Sequence, residues 1–496
     1  MSNRQMIPYL SYYGHGGCPR RVETPWPQPA GERPAPNIIW VVSDQQRAMS
    51  LSCNGDVNAR TPNLDRMACY GVNFTRAVSS NPICCPFRGT MLTGVSHNKC
   101  VMGHQYSLDE NQPTVADVFN AAGYETTYIG KWHLDGCRSN AVFHYVPPHR
   151  RGGFQKWLGY ENNNSQWNTW VHGNLYGEET QFKLKGYETD ALTDIALEYI
   201  RGRQDSDSPF FLVLSVQPPH PPFMAPAENL NHFPAKELEL RPNVPAGPLY
   251  QQETRRQLAY YYAMIEILDQ NVGRFLETLT ECEMDLNTHI LFFSDHGEMM
   301  GSHGLFGKVM PYEESIRIPF LISGAVPCLL GYQTGNVDAP LCELDIAPTT
   351  LGLCGIPVPD WMEGHDYSPY RLGGPPGGET GPDTAYIKAI TPHDGSYKPW
   401  RGIVTRDGYK YVCFENEPWM LFDLNNDPYE QSNLVHRLPY LALCHRLQSR
   451  LQEWISRTDD RFELPDLPPL AKAKGGTLEG LSIMLGRSLC FSYDRE

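Results

Sequence analysis

NIIWVVSD, residues 37–44, runs through five apolar residues without a break and then stops on a serine and an aspartate. A strand with one wet face alternates polar and apolar side chains. This run does not, so it predicts a strand buried on both faces, as in a parallel sheet covered by helices. Three other stretches repeat the form. YETTYIGKWH (124–133) ends in Lys131 and His133, FFLVLSVQPPH (210–220) ends in His220, and HILFFSDHGE (289–298) runs into Asp295 and His296.

Helical patterns alternate with these strands. TPNLDRMACYG (61–71) offers Thr61 or Asn63 as a cap and Gly71 as a stop, and QPTVADVFNAAGY (112–124), YETDALTDIALEYIRG (187–202) and CELDIAPTTLGLCGI (342–356) follow the same logic. In 253–281, Leu258, Tyr262, Ile265, Leu268, Val272, Phe275 and Leu279 fall on one helical face. Strands alternating with helices predict an α/β sandwich around a mostly parallel sheet. In such sheets ligands bind beyond the carboxyl ends of the strands, which is where all four runs turn polar.

The texture changes after residue 375. GGPPGGETGPD (373–383) reads as a linker. AYIKAI (385–390), WRGIVTRDGYKYVCF (400–414) and WMLFDLNNDPYEQSNL (419–434) then read as antiparallel strands, with a turn at Asp407-Gly408. LPYLALCHRLQSRLQEWISRT (438–458) is an amphipathic helix with Leu441, Leu447, Leu451 and Ile455 as its core positions. The expected division is an irregular extension over 1–35, a catalytic domain over 36–375 and a smaller α+β domain over 376–496. Residues 466–496 carry no signal.

Composition limits the function. The 496 residues suffice for a large buried core. The formal net charge of −15 argues against nucleic acid or an anionic membrane as partner, because both need a basic face. Residues 1–29 contain no apolar leader run and the chain no membrane-length segment, so a cytoplasmic protein is expected. The 14 cysteines form no CxxC pairs and read as buried free thiols.

One cysteine pair is different. NPICCPFRGTMLTG (81–94) sets Cys84 at a predicted helix start, with Pro86 in the first turn, where backbone N–H groups favour an anion. Singly, each strand-end group has an ordinary reading as a cap, a solvated lysine or a structural histidine. His97 and His303 keep that structural reading. Together they make a constellation of acidic, basic and nucleophilic groups around one crevice.

These residues resemble the type I sulfatases of the alkaline-phosphatase-like superfamily over about residues 36–434. The signature C-x-P-x-R stands as Cys84-Cys85-Pro86-Phe87-Arg88, with Phe87 where many relatives have Ser. GKWHL (130–134), PPHPPF (218–223), SDHGEMMGSHGLFGK (294–308), PYEESIRIPFLI (311–322) and RDGYKY (406–411) also resemble family blocks. The resemblance implies hydrolysis of a sulfate ester. Its nucleophile is a formylglycine hydrate, made from Cys84 by a formylglycine-generating maturation enzyme. It implies one divalent cation held by Asp44, Gln45, Asp295, His296 and the modified Cys84, with Ca²⁺ expected and Mg²⁺ or Mn²⁺ open. By the same resemblance Arg88 holds the nucleophile and the carboxylates, Lys131 and Lys308 neutralise sulfate, His220 is the acid and His133 the base. Phosphonate monoester or phosphodiester hydrolysis is the alternative within the fold, and a non-catalytic anion-binding protein the rival outside it.

The substrate is expected to be a carbohydrate sulfate or a small aryl or alkyl sulfate. FQKWLGYENNNSQWNTWVHG (154–173) reads as an inserted loop whose Trp157, Trp167 and Trp170 suit sugar faces. Self-association into a homo-oligomer is left open.

Overall fold

The computed structural model describes residues 35–137, 143–324, 332–373, 381–391 and 398–470. Residues 1–34 of the expected extension (1–35), most of the linker (374–380) and the tail from 471 lie outside the described residues.

Ten strands form one sheet: β1 (Asn37–Asp44), β2 (Val72–Phe74), β3 (Glu125–Lys131), β4 (Lys156–Tyr160), β5 (Trp170–Gly173), β6 (Thr180–Lys183), β7 (Phe210–Pro219), β8 (Thr288–Ser294), β9 (Phe320–Gly324) and β10 (Gly335–Val337). Their order is β10-β2-β9-β8-β1-β7-β3-β4-β5-β6. The four predicted strands are the adjacent centre, β8-β1-β7-β3, and they are mutually parallel. Their polar ends therefore meet along one edge.

The unbroken apolar run of β1 is explained by two covered faces. Ile38, Trp40 and Val42 join Phe87, Met91, Phe211, Phe293 and Leu351 on one side. Ile39 and Val41 join Leu192, Leu212, Leu268 and Val272 on the other. Each such side chain contributes about 1.5–3 kcal/mol through burial. The Trp40 indole N–H donates to Thr350 Oγ1 at 3.0 Å, tying the helix Ile346–Leu353 to the sheet. The long helix runs Pro248–Glu281, starting earlier than 253 because Pro248 is suited to a first turn, and its predicted stripe is buried throughout. No described helix is long and apolar enough to cross a membrane.

A second sheet contains β11 (Thr384–Ala389), β12 (Trp400–Thr405), β13 (Tyr409–Cys413) and β14 (Pro418–Asp423), antiparallel in that order. One face packs on Val78, Ile316, Cys342 and Leu344 of the large unit. The other is covered by the helix Leu441–Arg457 through Leu447, Leu451 and Ile455.

One reading of the sequence needs correction. Residues 154–173 are not an inserted loop: β4 pairs parallel with β3, and β5 pairs antiparallel with β4. The polar run between them (161–169) and Gly159 disguise two short strands. Trp157 is 0% exposed and stacks with Tyr128 inside the core, so it cannot meet a substrate.

Candidate active site

The ends of β1 and β8 are stitched together by their own backbone. The Asp295 N–H donates to Ser43 O at 3.2 Å, the Gln46 N–H to Ser294 Oγ at 2.8 Å and the Gln45 N–H to Asp295 Oδ1 at 3.0 Å. Gln45 takes a left-handed φ of 68° to make this turn. Asp44, Gln45, Asp295 and His296 thus share one point at the sheet edge.

The helix Cys84–Thr93 starts against that point, and every residue in it is buried. Residues four apart share a helical face, so the C-x-P-x-R spacing aims Cys84 and Arg88 at the same strand ends. Arg88 Nη2 lies 3.1 Å from Asp44 Oδ2 and 3.1 Å from Asp295 Oδ2. Its Nη1 donates to Ser215 Oγ at 2.8 Å and to Lys131 O at 3.2 Å. Lys131 Nζ adds a 2.7 Å contact to Asp44 Oδ2.

Cys84 Sγ sits 3.2 Å from His296 Nε2, 3.1 Å from Lys308 Nζ and 3.8 Å from Asp44 Oδ1. Lys308 Nζ also donates to Gln45 Oε1 at 3.0 Å, while the Gln45 amide N–H donates to Glu298. Cys85 points elsewhere, with its Sγ 3.8 Å from His104 Nδ1.

The histidines complete the ring. His133 has φ 57°, is 2% exposed, and neither ring nitrogen has a hydrogen-bond partner among the described residues. Its backbone N–H donates to Glu161 O at 2.7 Å, and the Glu161 carboxylate accepts the N–H groups of Leu134 and Asp135. His220 Nδ1 lies 2.6 Å from Pro221 O, so Nε2 is the nitrogen that remains for proton exchange. Gln166 Nε2 donates to the carbonyls of His220 and Pro222, fixing that turn.

Burial opposes charge throughout the site, yet specific partners win at several groups. Lys131, His220, Arg88 and Lys308 together hold the Asp44 carboxyl well below its usual range despite burial. Burial also opposes the Lys308 ammonium, but Cys84, Asp44 and Asp295 keep it above its ordinary value. Burial drives His296 down to about 4, and burial with Lys308 holds His220 well below its ordinary value. Burial, Lys131 and His104 do the same to His133.

The residues fit a divalent cation. Arg88 occupies one oxygen of each aspartate, leaving Asp44 Oδ1 and Asp295 Oδ1 at 3.8 and 3.5 Å from His296 Nε2. The His296 Nδ1–H faces Gly297 O at 3.1 Å, so the Nε2 lone pair points into the site. Asp44, Cys84, Asp295 and His296 offer ligand atoms all within 4.8 Å of one another.

Every predicted catalytic and metal residue therefore lies at this edge, but the tryptophans do not act as a group. Trp157 is core, and Trp170 is half-buried against Phe143. Trp167 is 39% exposed, stands edge-on to Tyr187 and follows Gln166, which holds the His220 turn. Sequence reasoning missed Ser215, Glu161, Gln166 and Glu298. Ser215 and Glu298 left a signal, the first as the lone hydroxyl in FFLVLSV and the second just after Asp295 and His296.

The Sulfatase family model matches residues 36–356, and the model for N-sulphoglucosamine sulphohydrolase, C-terminal, matches 301–457. The ulvan-active sulfatase of Formosa agariphila is 34% identical over 455 residues, covering 90% of this chain and 86% of that protein. The arylsulfatase of Clostridium perfringens is 31% identical over 458 residues, covering 82% and 91%. A solved Bacteroides fragilis chain assigned as the sulfatase yidJ superposes with a TM-score of 0.77 at 29% identity, covering 88% and 98%. With a buried cysteine, two lysines and a metal-fitting carboxylate pair at its sheet edge, the chain belongs to the sulfatase family and is a sulfuric ester hydrolase.

Proposed function

We propose that this enzyme hydrolyses a sulfated carbohydrate, using formylglycine formed at Cys84 and a Ca²⁺ ion held by Asp44, Gln45, Asp295 and His296. The observation that carries the reading is the divergence of the two adjacent thiols. Cys84 Sγ faces the carboxylates, His296 and Lys308, while Cys85 Sγ faces His104. Two carboxylates and an amide oxygen favour a hard cation, with Mg²⁺ and Mn²⁺ as competitors.

When formed, the hydrated aldehyde at residue 84 supplies the oxygen that displaces the alcohol from sulfur, and its return to aldehyde releases sulfate. The chain's own residues do the rest. Lys131 and Lys308 compensate the charge that builds on the sulfate oxygens. His220 delivers a proton to the departing alkoxide oxygen, and the negative ester raises the proton affinity that burial and Lys308 depress in the free site. His133 takes the proton from the remaining hydroxyl at residue 84, for which its two nitrogens, unpartnered among the described residues, leave it available. Arg88 keeps both aspartates oriented throughout.

The carbohydrate assignment is supported by the half-exposed Trp167 beside the His220 turn and by the ulvan-active relative. The donor set also gives a second reading. An amide at 45 and an imidazole at 296 lower the negative charge of the site, which suits a phosphonate monoester as well. Steady-state kinetics on a chromogenic sulfate and a chromogenic phosphonate, after chelation and re-addition of Ca²⁺, separate the two. A higher kcat/KM on the sulfate supports the sulfatase reading, and a higher value on the phosphonate replaces it.

A further inference from the structure

Beside the catalytic centre lies a second cluster with different chemistry. Cys85, His104 and His133 offer one sulfur and two imidazole nitrogens, all within 4.8 Å of one another. Cys85 Sγ and His104 Nδ1 are 3.8 Å apart, close to the separation of about 3.6 Å that two such ligands have on a tetrahedral zinc ion. The His104 and His133 rings meet edge to face at 5.2 Å. His133 is 2% exposed, and among the described residues both its nitrogens are unpartnered, so this cluster contains an uncompensated polar group.

Burial pushes the Cys85 thiol well above its ordinary value, and the backbone around the cluster offsets part of that cost for a metal-bound sulfur. Gln105 takes a left-handed φ of 63°, and its N–H donates to Cys85 Sγ at 3.3 Å. Such N–H donors orient and stabilise metal-bound sulfur. Cys85 is also in the first turn of its helix, where the dipole favours negative charge. A sulfur and two imidazoles select a borderline or soft cation such as Zn²⁺, whereas the carboxylate site next to it selects a hard one.

We infer that Cys85, His104 and His133 form an inhibitory Zn²⁺ site that removes the general base of the sulfatase. Binding exchanges the Cys85 thiol proton for the metal and leaves a fourth position for water. A neutral imidazole has one nitrogen lone pair, the other nitrogen carrying the proton. A cation on either nitrogen of His133 therefore leaves no lone pair to accept a proton. The inhibitory half of the inference rests on the assignment of His133 as base; the site itself does not.

Cobalt(II) tests the site without reference to activity. In the full chain carrying Cys84→Ala, which removes the neighbouring thiol, added Co²⁺ is expected to give a near-ultraviolet thiolate-to-cobalt band. The band should vanish in Cys84→Ala/Cys85→Ser. In the active enzyme loaded with Ca²⁺, added Zn²⁺ should inhibit, and a zinc-selective chelator should restore activity. Cys85→Ser should keep its uninhibited rate, and both it and His104→Ala, each measured against its own uninhibited rate, should need more than about tenfold higher Zn²⁺ for the same inhibition. A band that survives the loss of Cys85, or equal inhibition of wild type and both variants, overturns the site. A band dependent on Cys85 with no inhibition keeps the site and overturns the role of His133 as base.

Discussion

Arg88 Nη2 is equidistant from Asp44 Oδ2 and Asp295 Oδ2, at 3.1 Å from each, and all three side chains are fully buried. One guanidinium thus orients the two carboxylates that come from different strands. Removing it leaves Asp295 without its guanidinium partner in the core. Arg88→Ala is expected to destabilise the metal-free protein by about 3–5 kcal/mol in chemical denaturation. Lys99→Ala, which breaks the partly exposed pair with Glu363, should cost no more than about 1 kcal/mol.

The metal assignment predicts that Asp295→Ala loses bound cation and activity together. Elemental analysis after dialysis should show less than stoichiometric Ca²⁺, and kcat/KM should fall by more than about a hundredfold. Full turnover after thorough chelation of the wild type would reassign these four residues.

His220 as acid predicts a dependence on the leaving group. His220→Ala should lower kcat/KM on an alkyl or sugar sulfate by about 10²–10⁴-fold, and much less on a nitrophenyl sulfate, whose alcohol departs without a proton. Equal losses on both would make His220 a positioning residue.

The four central strands were legible because burial on both faces forces an unbroken apolar run, and their polar ends marked the site. The antiparallel sheet was legible from its turns, with Gly408 at φ 91° where Asp407-Gly408 was read. β4 and β5 were not, because Gly159 and the polar run between them resemble a loop. The partners of the site were hidden for a different reason. Glu161 and Gln166 act on backbone groups of distant residues, and such pairings have no periodicity along the chain.

The tryptophans now separate into two expectations. Trp157→Ala should cost about 3–5 kcal/mol of stability, with unchanged selectivity among substrates in the folded fraction. Trp167→Ala should raise KM for a sulfated sugar while leaving an aryl sulfate nearly unaffected. Equal effects on both substrates would remove the support that Trp167 gives the carbohydrate assignment.

His172 predicts part of the acid sensitivity. Its Nε2 accepts the Val146 N–H at 2.9 Å, and burial, aided by Arg151, pushes its pKa down to about 4. Between about 6.5 and 4 the unfolded chain binds a proton here that the folded one refuses, so stability falls as pH drops through this window. The fall in Tm across that window should be smaller in His172→Gln, whose amide oxygen can accept the same N–H.

The central claim is that Cys84, and not Cys85, carries the reactive group. Trypsin cleaves after Arg76 and Arg88, releasing residues 77–88 with both cysteines, and fragment ions distinguish the two positions. In enzyme produced with a formylglycine-generating partner, mass spectrometry should find an aldehyde at 84 and a thiol at 85, with specific activity proportional to the converted fraction. Full sulfatase activity in protein whose Cys84 remains an unmodified thiol would contradict the account.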